Sequence, residues 1–522
     1  MADRAVTGAD VLVRTAARAG VRVCFANPGT TEMPLVAALD RVPGIRAVLG
    51  LHENVCTGAA DGYARITGHA AMTVLHLGPG LANGLANLHN ARRANTPVVN
   101  VVGDHASWHL AYDAPLTSDI AALAATVGAV YPVASRAEVG TVTREAIEDA
   151  HRTPGVSTVI VPADHQQLHA PEPLTGPVTR TARPRVSSEC VKNAAARLLT
   201  AGRGAVLLLG GTALTRTGQV AAGRVAASTG ATLYSETFPA CAERGGLPDI
   251  DRLPYFPETA AAALGDAEAV VVVGAADPVA YFGYDGIPSV LTRPGTLVRL
   301  ALRHEDAEEA LLELADLIGT DAPAAPAAPA APAATIDLPD DAAALDGRSV
   351  GQVVAACLPE DAIVSVEGGT CGYPFYSASA AAAPHTVLTN TGGAIGQGLP
   401  TALGAAIAAP DRPVIALQSD GGGLYTAQAL WTMSREHTNV IVLIAANHTY
   451  GVLRTELKRH GNPEFGPQAG ALTSLADPCV DWVTLANGFG VPACRATHVA
   501  QLRAAFSKAL AVGGPYLIEM AL

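Results

Sequence analysis

The chain alternates between short, almost wholly apolar runs and longer Ala- and Leu-rich stretches that carry polar residues at helical spacing. The apolar runs are VRVCFA (21–26), AMTVLH (71–76), TPVVNVVG (96–103), STVIVP (157–162), AVLLLG (205–210), AVVVVG (269–274), AIVSVEG (362–368), PVIALQSDG (413–421), NVIVLIAAN (439–447) and PYLIEM (515–520). Runs of this length without a polar face fit parallel strands covered by helices on both sides. Their regular alternation with helical stretches predicts an α/β chain. The first twenty residues have amphipathic helix periodicity and lack a signal peptide's continuous apolar core and cleavage site, so a cytoplasmic location is expected.

Two segments interrupt the rhythm. APAAPAAPAAPAA (322–334) cannot form a packed helix and reads as an extended, semi-rigid linker. The Pro-rich polar stretch 169–188 follows a terminal strand and precedes a new helix, VKNAAARLLTAG (191–202). The predicted fold is therefore α/β, with three doubly wound parallel-sheet domains at 1–172, 188–320 and 341–522, and a Pro/Ala linker at 321–340.

Composition narrows the function. At 522 residues the chain is too long for one hydrophobic core. A formal charge of −13 without a basic cluster argues against nucleic acid or an anionic membrane surface as partner. No run approaches the roughly 18 apolar residues of a membrane span. The eight cysteines are scattered, without a CxxC pair or a nearby His at ligand spacing, which suggests buried thiols and neither a disulfide framework nor a zinc site. A small-molecule enzyme fits these limits.

The candidate chemistry lies at strand ends. PVIALQSDGGGLYTAQALW places Asp420 at the carboxyl end of a buried strand, the edge where open α/β sheets bind ligands. Gly421, Gly422 and Gly423 would let backbone amides approach phosphate oxygens, and Asp420 offers a hard oxygen to Mg²⁺. An ordinary Asp-Gly turn would look the same. A second strand ends 27 residues later at Asn447, followed by HTYG, so Asn447 and the Thr449 carbonyl could share one cation with Asp420 and a diphosphate. GPGLANG (78–84) also fits a loose dinucleotide fingerprint.

This Asp-Gly, spacer and Asn resemble the cofactor motif of thiamine diphosphate enzymes. ANPGTTEMPLVAALD (26–40), LHENVCTGAADGYARITG (51–68) and HLGPGLANGLANLHNARRANTPVV (76–99) resemble the pyrimidine-binding domain of the benzoylformate decarboxylase and acetolactate synthase group. The resemblance spans nearly all of the chain, in the order pyrimidine-binding, middle and diphosphate-binding domain. It implies thiamine diphosphate and Mg²⁺ as cofactors, and a small 2-oxo acid as substrate. The product would be an aldehyde or an acetolactate- or acetoin-like compound. It also implies a homodimer or homotetramer with active sites at the subunit interface. FAD is not expected, since the middle domain carries no flavin fingerprint. A flavin-containing acetolactate synthase and a non-catalytic cofactor-binding relative are the alternatives.

The resemblance also assigns residues. Glu53 would hydrogen-bond the pyrimidine N1′ and switch the cofactor on, although a helix-opening Glu is otherwise a charge on the helix dipole. His76 would handle substrate protons, where a lone His at a strand end is otherwise structural. Asn27, Pro28, Gly29, Gly393, Ile395, Gly421, Gly422, Tyr450 and Gly451 would line the cofactor, with Ile395 as apolar wedge and the Gly393 carbonyl on the amino group. Asp420, Asn447 and Thr449 would hold the metal. Thr30, Gly368, Thr370, Phe282, Leu453 and Glu456 would face the substrate, and His52 would only support Glu53. Two departures stand out: Phe282 occupies the place of a second catalytic His, and Ser419 replaces the usual Gly before Asp420.

Overall fold

The computed structural model describes residues 6–171, 182–319, 336–461 and 464–522. The Pro/Ala tract falls outside the described residues, as does half of the 169–188 boundary segment. All ten predicted strands are present, distributed over three sheets. The first contains β1 (Val23–Asn27), β2 (Arg46–Leu49), β3 (Ala71–Leu75), β4 (Val98–Asp104), β5 (Gly128–Pro132) and β6 (Val156–Pro162), in the parallel order β2-β1-β3-β4-β6-β5. The second is parallel, ordered β10-β8-β7-β11-β12, with β7 (Ala205–Leu209), β8 (Thr232–Ser235), β10 (Asp251–Arg252), β11 (Ala269–Val273) and β12 (Leu297–Ala301).

The third sheet runs β17-β18-β16-β15-β13-β14-β9. Its parallel strands are β13 (Ala362–Glu367), β14 (His385–Thr389), β15 (Val414–Ser419), β16 (Val440–Ala446), β17 (Ala493–Ala496) and β18 (Tyr516–Ala521). The edge strand β9 (Ala242–Arg244) pairs antiparallel with β14 although it lies in sequence among the strands of the second sheet. This mixed edge departs from the purely parallel expectation. Eight strands escaped the apolar-run criterion because they are short or carry polar residues: RAVL, TLYS and ACRA are typical.

One apolar cluster runs through the first and third sheets, joining Phe25, Leu75 and Leu88 to Leu399, Leu430 and Trp482. The link is a close crossing of two helices, Glu53–Thr67 and Gly398–Ala408. A Cβ on Gly62 would overlap the Thr401 carbonyl, and one on Gly404 would overlap the Ala59 carbonyl. Small residues thus allow a backbone-to-backbone approach that larger side chains would block. The first of these helices carries a buried ion pair, Arg65 Nη2 to Asp61 Oδ2 at 2.6 Å. Arg65 also donates to the Thr389 carbonyl (2.7 Å) and Gln397 donates to Asp61 (2.8 Å), so both charges are fully bonded.

The cysteines depart from the expected burial: Cys24, Cys56 and Cys371 are buried, whereas Cys190 and Cys479 are exposed, and all eight are free. His385 opens β14 almost fully buried. Burial beside Arg244 lowers its pKa to about 4, although its Nδ1 reaches the Ala383 carbonyl at 2.7 Å. The unfolded chain therefore takes up a proton near pH 6.5 that the folded chain refuses until about pH 4. Stability is complete above pH 6.5 and falls as pH drops through that window, by up to about 1.4 kcal/mol per pH unit. Urea midpoints measured between pH 7 and 4 are expected to fall less steeply in His385→Gln than in the wild type.

Candidate active site

Strands β15 and β16 run in register, with Ser419 opposite Ala445, so Asp420 and Asn447 emerge on the same carboxyl edge of the third sheet. Asp420 is buried, and its carboxylate is held by two backbone amides: Gly421 N–H at 2.8 Å and His448 N–H at 2.7 Å. Burial pushes the carboxyl pKa up while these amides pull it back. His448 has a left-handed backbone, φ 53°, which brings its N–H to Asp420. Asn447 Oδ1 accepts from Thr449 N–H at 3.1 Å, and its Nδ2 donates to Thr370 Oγ1 at 3.4 Å.

A carboxylate, an amide oxygen and the Thr449 carbonyl supply hard donors suited to Mg²⁺ with a phosphate-bearing ligand. Among the described residues no group of three or more His, Cys, Asp or Glu could hold a metal. A cation here would depend on amide, carbonyl and ligand oxygens. Beside these donors a Cβ on Gly421 would overlap the Tyr450 ring, and one on Gly422 the Glu367 carboxylate. Gly421, Gly422 and Gly423 are buried, packed closely against Tyr450, Glu367 and Trp482. Ser419 Oγ accepts from Gly422 N–H at 3.4 Å, so the Ser in place of Gly engages one of these amides.

Sequence reasoning missed Glu367, although it ends a buried strand just as Asp420 does. Its Oε1 accepts from Gly396 N–H (2.8 Å) and its Oε2 from Gly398 N–H (2.5 Å). Burial raises its pKa, and the backbone amides of Gly396 and Gly398 oppose that rise. Glu367 thereby ties the 390–398 loop to the glycines after Asp420. Asn90 Nδ2 reaches the Ala394 carbonyl at 2.8 Å, and Thr426 Oγ1 reaches that of Gly396 at 2.9 Å. Gly393 and Gly396 take φ 78° and 91°, conformations that favour glycine. Ile395 projects from this pinned loop, 37% exposed.

On the first sheet His52 caps the helix Glu53–Thr67, its Nδ1 accepting from Asn54 N–H at 3.1 Å. Glu53 follows at the first helical position, and Asn83 Nδ2 donates to its Oε2 at 3.1 Å. Gly80 and Gly84 face this carboxylate side chain from the helix Leu77–Ala94. GPGLANG therefore serves helix packing around Glu53, which replaces the dinucleotide reading.

His76 precedes that helix, next to a left-handed Leu77 at φ 52°. Two residues absent from the sequence-based set fix its ring. Fully buried Glu32 places Oε2 2.7 Å from His76 Nδ1 and accepts from Gly29 N–H at 2.9 Å, and its Oε1 accepts from Thr31 Oγ1 at 2.5 Å. Thr31 Oγ1 also lies 3.2 Å from Nδ1. With the Glu32 oxygen as acceptor, the hydrogen sits on Nδ1, and Nε2 has no hydrogen-bond partner among the described residues. A Cβ on Gly29 would overlap the His76 ring. The signal available in sequence was the acid at the end of NPGTTE.

The remaining candidates scatter more widely. Thr30 is exposed beside Gly29, and Asn27 and Pro28 lead from β1 into this turn. Gly368 (φ 121°) packs on Ser419. Gly451 and Leu453 open the helix Gly451–Arg459, with Leu453 47% exposed. Phe282 is exposed next to Tyr281, whose ring lies against Gly393. Tyr284 Oη donates to Glu456 Oε2 at 3.1 Å and Arg459 lies 3.4 Å from Oε1, which is buried and has no hydrogen-bond partner among the described residues.

Residues 6–123 match the thiamine pyrophosphate enzyme N-terminal TPP binding domain, and residues 369–520 match the C-terminal TPP binding domain. A Mycobacterium tuberculosis protein with the provisional name acetolactate synthase large subunit IlvX is 46% identical over 99% of both chains. Benzoylformate decarboxylase of Pseudomonas aeruginosa is 28% identical over 96% of each. The solved thiamine diphosphate-dependent 4-hydroxybenzoylformate decarboxylase of Rhodococcus jostii superposes with a TM-score of 0.84 at 25% identity, covering 99% of both chains. Among the described residues no helix is long and apolar enough to cross a membrane. With the paired strand ends inside the second of the two cofactor-domain matches, the chain belongs to the thiamine diphosphate-dependent enzyme family of acetolactate synthases and benzoylformate decarboxylases.

Proposed function

We propose that the protein is a Mg²⁺-dependent decarboxylase of 2-oxo acids, releasing an aldehyde or joining the acyl unit to a second carbonyl compound. The observation that carries this reading is the pair of oxygen donors, Asp420 and Asn447, on adjacent strand ends. With Thr449 they would hold Mg²⁺ and a diphosphate. Gly393 and Ile395 would seat the pyrimidine ring, and Tyr450 and Gly451 would border the cofactor. When bound, thiamine diphosphate supplies the electron sink that lets a 2-oxo acid lose carbon dioxide.

The chain's own residues then orient the substrate and move protons. Glu53, at the start of its helix beside Asn83, would share a proton with the pyrimidine nitrogen of the bound cofactor. His76, with Nε2 free and Nδ1 held by Glu32, accepts or delivers a substrate proton. Thr30, Gly368, Thr370 and Leu453 border the substrate. Phe282 carries no proton, so a second acid on this side is not part of the scheme.

The active unit in this reading is a homodimer or a pair of dimers. Leu51, Ile395, Tyr425, Leu453 and Leu472 are large apolar residues left 37–77% exposed on elements that carry the site, as a face awaiting a second copy and cofactor would be. Protein supplied with thiamine diphosphate and Mg²⁺ should release carbon dioxide from at least one of pyruvate, longer aliphatic 2-oxo acids and benzoylformate. Release from none of them, or a colour and redox activity from bound flavin, would oppose the reading. Glu32→Gln is expected to lower kcat about tenfold with little change in KM, because the amide no longer compels the Nδ1–H tautomer of His76.

A further inference from the structure

One cation near the site lacks a counter-charge. Arg252, at the end of β10, is partly buried among aromatic rings: its guanidinium lies 4.3 Å from the centre of Tyr376, 4.6 Å from Tyr373 and 5.9 Å from Phe238. No carboxylate and no hydrogen-bond acceptor among the described residues reaches it. Its neighbour Arg244 adds like charge across the Tyr376 ring, and is itself satisfied by the hydroxyl of Ser379 and the carbonyls of Tyr376 and Ile250. Ring faces stabilise a cation but leave its N–H fork unbonded. A charge shielded from water in this way gains from an anionic partner.

The position matters as much as the charge. The Tyr373 ring packs on Gly369, next to Thr370 and hence to Asn447. Tyr281, in ring contact with Phe238 and Tyr255, packs on Gly393. The arginine cage therefore abuts both glycine segments that border the proposed cofactor cleft. Glu456, whose charge also acts on Tyr255, is already engaged by Tyr284 and Arg459 and leaves Arg252 uncompensated.

We propose that Arg252 receives a second carboxylate of the substrate, so that the acid taken by this site is an aliphatic 2-oxo dicarboxylate. This rests on the decarboxylase reading above and names its substrate class. A guanidinium fork offers two parallel N–H bonds to a carboxylate, and a site built for that charge rejects an acid lacking it.

The test compares 2-oxoglutarate and 2-oxoadipate with uncharged 2-oxohexanoate on the holoenzyme, together with calorimetric titration of glutarate. Wild type should favour one diacid by about 100-fold in kcat/KM, chiefly through KM, and should bind glutarate. Arg252→Met should bring that ratio close to one and abolish glutarate binding. Arg252→Lys, which keeps a cation between the rings but loses the fork, should reduce the ratio at least about tenfold and covers the case in which the Met variant does not fold. Equal use of diacid and neutral acid by wild type, or a ratio unchanged in Arg252→Lys, overturns the proposal. Glutarate binding without turnover of any 2-oxo acid would refute the decarboxylase reading and leave the anion subsite standing. Turnover of the neutral acid without glutarate binding would do the reverse.

Discussion

Glu53→Gln is expected to lower carbon dioxide release from the best 2-oxo acid by about 10²–10⁴-fold, the range that a positioned proton-transfer group contributes. The fold should survive. Gln fills the same volume, and its amide oxygen can still accept from Asn83 Nδ2. His52 caps the helix through its own ring nitrogen and does not need the Glu53 carboxylate. Binding of thiamine diphosphate, measured by calorimetry, should therefore change by less than about threefold, while turnover collapses. That split separates a proton-handling role from a helix-dipole role, which would move stability by about 0.3–1 kcal/mol and turnover hardly at all. Unchanged release from every acid tested would remove Glu53 from catalysis.

The contrast between Glu53 and Glu32 shows what a sequence can reveal. Glu53 is legible through the pattern around it, a strand, a turn, an acid and a helix, and the structure places it at the first helical position beside Asn83. Glu32 lies in an equally familiar turn, yet its partner His76 is 44 residues away. Only the pairing of β1 with β3 brings them together. Glu367 is similar: its ligands are backbone amides of Gly396 and Gly398, which no side-chain pattern announces.

The fold follows the same division. Strands apolar on both faces, such as AVVVV in β11, declare themselves by composition. Edge strands such as ACRA in β17 take their stability from one neighbour and look like loops. The antiparallel β9 is three residues long and depends wholly on β14, so its place could come only from the tertiary structure. Glu456 reads from sequence as a substrate contact because it is a polar residue close to a binding segment; its Tyr284 and Arg459 contacts come from elements that only the tertiary structure or the helix turn brings to it.

Asp420→Ala is expected to raise the Mg²⁺ concentration needed for half-maximal activity by at least about 100-fold, and to weaken thiamine diphosphate binding in parallel. The variant removes a charged oxygen whose geometry is fixed before any cation arrives, since both carboxylate oxygens already rest on backbone amides. A hard cation has few other donors here: Asn447 offers one amide oxygen, and the Thr449 carbonyl also accepts from Gly451 N–H at 3.0 Å. Losing the only negative donor of the three leaves a site that binds Mg²⁺ chiefly through the cofactor's phosphates. Asp420→Asn provides the control for folding, because its amide oxygen can still accept from the His448 amide while its charge is gone. Both variants should bind Mg²⁺ and cofactor more weakly than wild type, with the Asn form, which keeps the acceptor for the His448 amide, folding closer to the wild type than the Ala form does. If chelation inactivates the wild type and added Mg²⁺ restores Asp420→Ala at the wild-type concentration, then the cation sits elsewhere, and the pairing of β15 and β16 ends is structural only.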